Sequence, residues 1–301
     1  MEKDICKVTA RVLTKKTIKV VVLFFFFTNF VEAEKKNSQI FFCNQKMGVS
    51  EYVRNEAQII EARKHYREGH TQPSFVASYG TVTDMRRVMH NRNTYHKHEM
   101  IYILSVAAAC NNMPVVKCLV EEFHMPVRSE DGTRALDAAL CNLNHKVAEY
   151  LISKGADTSR YGNYTDKLSE SPTAATMCLN PMEYHLADHL RKAMGRNFMA
   201  TTDVIREFQE RQRKTLLVLI QKCGMDVNRL VGVNREDTLL MKAMMYSPFE
   251  HVDLLMSLGA DPSIVTPQGE SLFHIKITDP DYENQYKDKL RLFREKYGRR
   301  S

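Results

Sequence analysis

One stretch of this chain is written twice. Residues 131–159 read DGTRALDAALCNLNHKVAEYLISKGADTS, and residues 236–263 read EDTLLMKAMMYSPFEHVDLLMSLGADPS. In each, an alanine (Ala139, Ala243) stands 16 residues before a glycine (Gly155, Gly259) that opens a Gly-Ala-Asp triplet ending in Asp157 or Asp261. An apolar run, Tyr150-Leu151-Ile152 or Leu254-Leu255-Met256, leads up to each glycine. Self-similarity at matched spacing predicts stacked copies of one small unit, not an ordinary helical bundle.

Further copies follow from the same wording. A third closing runs Leu219-Ile220-Gln221-Lys222-Cys223-Gly224-Met225-Asp226-Val227-Asn228. A third opening, Gly269-Glu270-Ser271-Leu272-Phe273-His274, begins ten residues after Gly259; Gly132 to Gly155 is 23, and the sum restores the period. Weaker copies end at Leu119-Val120-Glu121-Glu122-Phe123, with Ala107-Ala108-Ala109 as small-residue core, and start at Ala77-Ser78-Tyr79-Gly80 with Met85 and Val88. Another is expected between Arg160 and Gly195, with Ala174-Ala175 and then Leu186 and Leu190, and residues 196–228 make a full period. Each element of the wording has a physical reason. Alanine sits where helices pass closely, and leucine fills the space between units. Glycine ends a helix in the left-handed conformation, and aspartate bonds to nearby backbone to fix the turn.

The pattern resembles the ankyrin repeat, whose usual opening is G-x-T-P-L-H-x-A and whose closing is V-V-x-L-L-L-x-x-G-A-D-V-N. Here the opening is Gly132-Thr133-Arg134-Ala135-Leu136-Asp137-Ala138-Ala139 and, later, Glu236 to Ala243. The resemblance implies an all-α solenoid of about six helix-turn-helix units with short β-turn or hairpin tips. It implies that Ala139, Gly155, Asp157, Gly224, Ala243, Gly259 and Asp261 are framework, and that His274 ties adjacent turns. It also implies a protein partner bound through the concave face, at turn tips and first helices. The tip residues expected to make contact are Arg128, Glu130, Asp131, Arg134, Arg235, Glu236 and Gln268. The connection 160–167 is longer than the period needs, and its Tyr161 and Tyr164 are a candidate anchor.

Four segments are expected: 1–46, apolar and basic; 47–70, a capping helix; 71–284, the repeats; and 285–301, a basic C-terminal capping helix with Tyr286, Leu290, Phe293 and Tyr297 on one face. The net charge of +7 divides unevenly. Residues 1–46 hold 9 basic and 4 acidic side chains, and 285–301 hold 7 and 2. Each end is therefore +5, leaving −3 for the middle, which disfavours a basic nucleic-acid groove on the body. Lysines 15, 16 and 19, the run Val20–Phe27 and the site ending at Ala33 follow the grammar of a secretory signal peptide. Three readings of this segment stand side by side: a signal or anchor in residues 1–33, a buried apolar segment, or a mature chain that begins at Met47. An adaptor that recruits a signalling or degradation complex through an added docking element is a further alternative.

Chemistry is sparse. No glycine-rich phosphate loop and no G-x-S-x-G turn occurs, and a shallow groove suits no enzyme. Neither His185 with His189 nor the cluster His96, His98 and Glu99 has a further convincing metal ligand nearby. Seven cysteines without a C-x-x-C pair argue against a disulfide framework or zinc module and for a reducing, cytoplasmic setting. No cofactor, metal, nucleic acid or small-molecule substrate is expected. A membrane enters only if residues 1–33 act as signal or anchor.

Overall fold

The computed structural model describes residues 72–95, 100, 102–162, 200–231, 237–275, 277 and 280–298, together with Arg63 and Tyr66. All lie in the unit Gln45–Ser301; the unit Met1–Asn44, on which the three N-terminal readings bear, lies outside the described residues.

Helices come in pairs. Helix α1 (Pro73–Tyr79) pairs with α2 (Val82–His90), and α3 (Ile103–Ala109) with α4 (Met113–Lys117). Helix α5 (Glu130–Cys141) then pairs with α6 (His145–Ser153). After a short α7 (Ser159–Gly162) come α8 (Ala200–Leu217), the hairpin β1 (Leu230–Val231) and β2 (Asp237–Thr238), and the pair α9 (Leu239–Tyr246) and α10 (Phe249–Ser257). Helix α11 (Pro280–Tyr297) closes the described chain.

The starts are set by local chemistry. Pro73 and Pro114 lie in first turns, where a missing N–H costs nothing. Thr81, Ser129 and Thr238 cap α2, α5 and α9 by accepting from Asp84 N, Gly132 N and Met241 N. First helices pass closely because Ala77, Ala107, Ala108, Ala135, Ala139 and Ala243 are all fully buried. Second helices fill the remaining space with Val88, Val115, Leu119, Val147, Leu151, Leu219, Val252 and Leu255. Truncating one such leucine to alanine costs about 2–5 kcal/mol.

The second helices end in two ways, and counting residues explains why. Leu151 to Gly155 and Leu255 to Gly259 span four residues, whereas Leu119 to His124 and Leu219 to Gly224 span five. The added residue is absorbed as one π turn, over Cys118–Glu122 and Val218–Lys222. There Phe123 N donates to Cys118 O at 3.3 Å and Cys223 N to Val218 O at 3.0 Å. All four endings then reach the left-handed region, at φ 51° for His124, 91° for Gly155, 70° for Gly224 and 90° for Gly259.

Two expectations change. Within the expected period 196–228, the described residues 200–222 run as α8 and its π turn without a break, not as a helix pair. Helix α8 packs on α6, while Tyr161 of α7 bonds to Asp137 of α5. Helices α7 and α8 therefore both lean on the α5–α6 pair; residues 163–199, with most of the expected unit at 160–195, lie outside the described residues. The opening Gly269–His274 forms a turn with a bridge between Val265 and Ser271, not a first helix. Helix α11 follows it and packs on α9, burying Tyr286 and Phe293.

Candidate protein-interaction surface

Tips between repeats are fixed by short local bonds. Asp157, Asp226 and Asp261 each accept from the backbone N–H two residues on, at 2.9, 2.9 and 2.8 Å. The backbone bond holds the Asp157 carboxyl below the usual carboxylate range; for Asp261 the Ser263 hydroxyl, donating at 2.6 Å, does most and the backbone bond adds to it. Asn228 joins two successive tips: its amide nitrogen donates to Gly259 O at 3.3 Å, and its Oδ1 accepts from Asp261 N at 2.7 Å. Nine residues after Leu219 stands Asn228, and nine after Leu119 stands Arg128. Arg128 is exposed and lies against the next glycine ending, where a Cβ on Gly155 would come 2.7 Å from its Nε.

The ridge above that tip carries interlocked charges. On α5, Arg134 bonds Glu130 and lies 3.4 Å from Asp131 Oδ1. Its guanidinium also stacks 5.7 Å over the Tyr102 ring. Glu130 is exposed, while Asp131 and Arg134 are half-buried. At the last tip Gln268 is exposed beside Val265, which is 61% exposed. Arg235, Glu236 and Tyr164 lie outside the described residues.

Tyr161 is not a surface anchor. It is 1% exposed, its hydroxyl donates to Asp137, and its carbonyl accepts from Arg229 at 3.3 Å. Burial and the Asp137 charge push its hydroxyl well above the ordinary phenol range. Arg160 Nη1 meets the second Asp137 oxygen at 2.6 Å. Asp137 stands where the last opening has His274, so a carboxylate ties one repeat to the next. The sequence signal for this was Asp137 itself, a charge at a framework position, and sequence reasoning passed over it. His274 is exposed and bonds within its own turn, to Ser271 Oγ at 3.2 Å; no tie to another turn appears among the described residues.

The outer face spends its charges on neighbouring repeats. Arg86 of α2 grips Glu122 with two bonds of 2.7 and 2.8 Å. Glu121 takes Lys154 and the Tyr150 hydroxyl, each at 3.0 Å, and these partners lower its carboxyl pKa. Pairs this exposed contribute little to stability, but they leave those side chains engaged.

Buried thiols are poor nucleophiles here. Burial pushes Cys110 and Cys118 up to about 11 and Cys223 to about 12, which suppresses the thiolate. These three are free, whereas Cys141 is disulfide-bonded to a partner outside the described residues, a correction to the expectation of unpaired repeat cysteines. Among the described residues no cluster of three metal-ligating side chains occurs, and no helix is long and apolar enough to cross a membrane. The histidines 96, 98, 185 and 189 lie outside them.

Residues 75–161 match the family model for ankyrin repeats in three copies. Among solved structures, the human ASB11 ankyrin repeat domain is similar over 73% of this chain and 98% of that chain, at 16% identity and a TM-score of 0.40. No curated protein matches the chain.

Proposed function

We propose that this chain, an ankyrin-repeat protein, is a non-enzymatic module that binds another protein through the ridge Arg128, Glu130, Asp131 and Arg134, with Gln268 at the last tip extending the contact. Ankyrin repeats are protein-interaction modules. The observation that carries the reading is the held guanidinium of Arg134. Glu130, Asp131 and Tyr102 fix it before any partner arrives, so binding loses less side-chain freedom there. Arginine in such a setting is also a favoured interface anchor.

In this reading both ends of the stack are closed. Residues 47–70 cap the first repeat, with Arg63 donating to Ser78 O and Cys110 O and Tyr66 stacking on Phe75 at 5.9 Å. The C-terminal segment caps the last through α11. The reading places the module in the cytoplasm on the strength of three free buried thiols. The Cys141 disulfide stands against that, and thiol counting on protein taken directly from cells decides it.

The binding test starts from proximity labelling with the chain begun at Met47, followed by purified affinity measurement on the partner found. Arg134→Ala and Arg128→Ala should each weaken binding about tenfold or more. Unchanged affinity in both, with loss on Arg86→Ala or Lys154→Ala instead, would move the site to the outer face.

A further inference from the structure

Four residues before the buried leucine of each later second helix, the stack has one inward position. Val115 precedes Leu119, Val147 precedes Leu151, Thr215 precedes Leu219, and His251 precedes Leu255. All four are buried, at 0, 0, 0 and 2% exposure. The first two are aliphatic, as close packing between second helices asks. In the last repeat the same slot holds an imidazole. Neither nitrogen of His251 has a hydrogen-bond partner, and Thr215 Oγ1 on α8 is equally unpartnered. A ring that gives up its water without replacement bonds is costly when neutral and far more so when charged.

The charged groups acting on this ring come from both helices that flank α10. Helix α8 brings Arg213 and Glu210, and α11 brings Lys289. Glu210 is already neutralised by Arg213 at 2.7 Å and Lys214 at 3.3 Å. Lys289 is committed to Met244 O at 3.1 Å. A proton on His251 therefore meets two cations and one occupied carboxylate, and neither ring nitrogen is bonded to an acceptor among the described residues. Repeat stacks open locally, one end at a time, so a charge placed in one repeat need not unfold the rest.

We propose that His251 makes the C-terminal end of the stack an acid-sensitive latch: protonating its ring frees α10 from α8 and α11 and opens the last repeat, while the repeats holding Val115 and Val147 stay closed. The sign follows from linkage. The ring titrates at about 4 when packed, chiefly because of burial, against 6.5 when released. Between these values the open form binds a proton that the closed form refuses, so opening grows as pH falls. From pH 7 to pH 5 the open population of the last repeat rises about twentyfold.

Hydrogen exchange on the full chain at the two pH values, corrected for intrinsic rates, tests this. Opening at 239–257 and 280–297 should rise about twentyfold, with little change at 103–122. His251→Val, which copies the third repeat, should abolish the rise. A rise that persists in His251→Val, one shared equally by 103–122, or none in the parent chain overturns the latch. Should that variant fail to fold, the ring proton of His251 is followed by NMR in the parent chain. A midpoint near 4 supports the latch, and one near 6.5 overturns it.

Discussion

Asn112 and Asn144 make the same bond one repeat apart. Asn112 Nδ2 donates to Ala77 O and Gly80 O at 3.0 and 3.1 Å, and Asn144 Nδ2 donates to Ala108 O and Ala109 O at 2.9 and 2.8 Å. Each side chain reaches back to the carbonyls that end the preceding first helix, groups with no intrahelical partner. Both asparagines are buried, so water does not replace them. Asn112→Ala and Asn144→Ala should each cost about 1–3 kcal/mol. Urea unfolding with an unchanged slope checks this, and midpoints within error of the parent would remove the bond from the account of stability.

The bond from Tyr161 to Asp137 separates scaffold from surface. Tyr161→Phe keeps the buried ring and loses one hydrogen bond, so stability falls by about 1 kcal/mol. Partner affinity should not move, because the residue is 1% exposed. Arg134→Ala should do the reverse, with little loss of stability and a clear loss of affinity. Equal effects of both variants on affinity would return Tyr161 to the binding surface.

His124 sits where the other closings have glycine, at φ 51°. A side chain there carries strain that glycine does not, so His124→Gly should stabilise by about 0.5–1 kcal/mol in thermal or chemical unfolding. Gly155→Ala and Gly224→Ala should each lose about 1 kcal/mol from the same backbone constraint. Only the first also brings a Cβ to 2.7 Å from Arg128 Nε; nothing lies within 4 Å of one at Gly224. Gly155→Ala should therefore also weaken the partner contact proposed for Arg128. A stabilising Gly155→Ala would refute the left-handed assignment.

Much of the scaffold was legible because its framework words are packing requirements. Ala139 and Ala243 are at 0% exposure, and Gly155, Gly224 and Gly259 take the positive φ their closings require. Three things were harder to read. The added residue between Leu219 and Gly224 is visible only by counting, and it produces a π turn instead of a shifted repeat. Residues 200–222 read as part of a full period, because a long helix and its closing carry enough of the pattern to be counted alone. Tyr161 looked like an anchor because an aromatic in a long connection has no packing signature of its own; Asp137, 24 residues earlier, is what draws it inside. The ridge at Arg134 was readable as charge, but its locking over Tyr102 depends on a neighbouring repeat.

Lys289 gives the last repeat a second titration, at the opposite end of the pH scale from His251. Its ammonium donates to Met244 O at 3.1 Å, and burial pulls its pKa down to about 8 from 10.5. Between those values the unfolded chain binds a proton that the folded chain has released, so stability rises with pH over that window. The gain is on the order of 3 kcal/mol across the window. Three tyrosines with raised pKa oppose it from pH 10 upward. Burial raises Tyr79 and Tyr161, and Tyr150 is raised by burial and then by its bond to Glu121. The unfolded chain ionises these phenols first, which favours unfolding. Unfolding midpoints from pH 7 to 11 should therefore rise, peak and fall. Lys289→Met should remove the rise and leave the fall, since its methylenes still cover α9 while the charge is gone. A parent-like rise in that variant would assign the alkaline gain to another group.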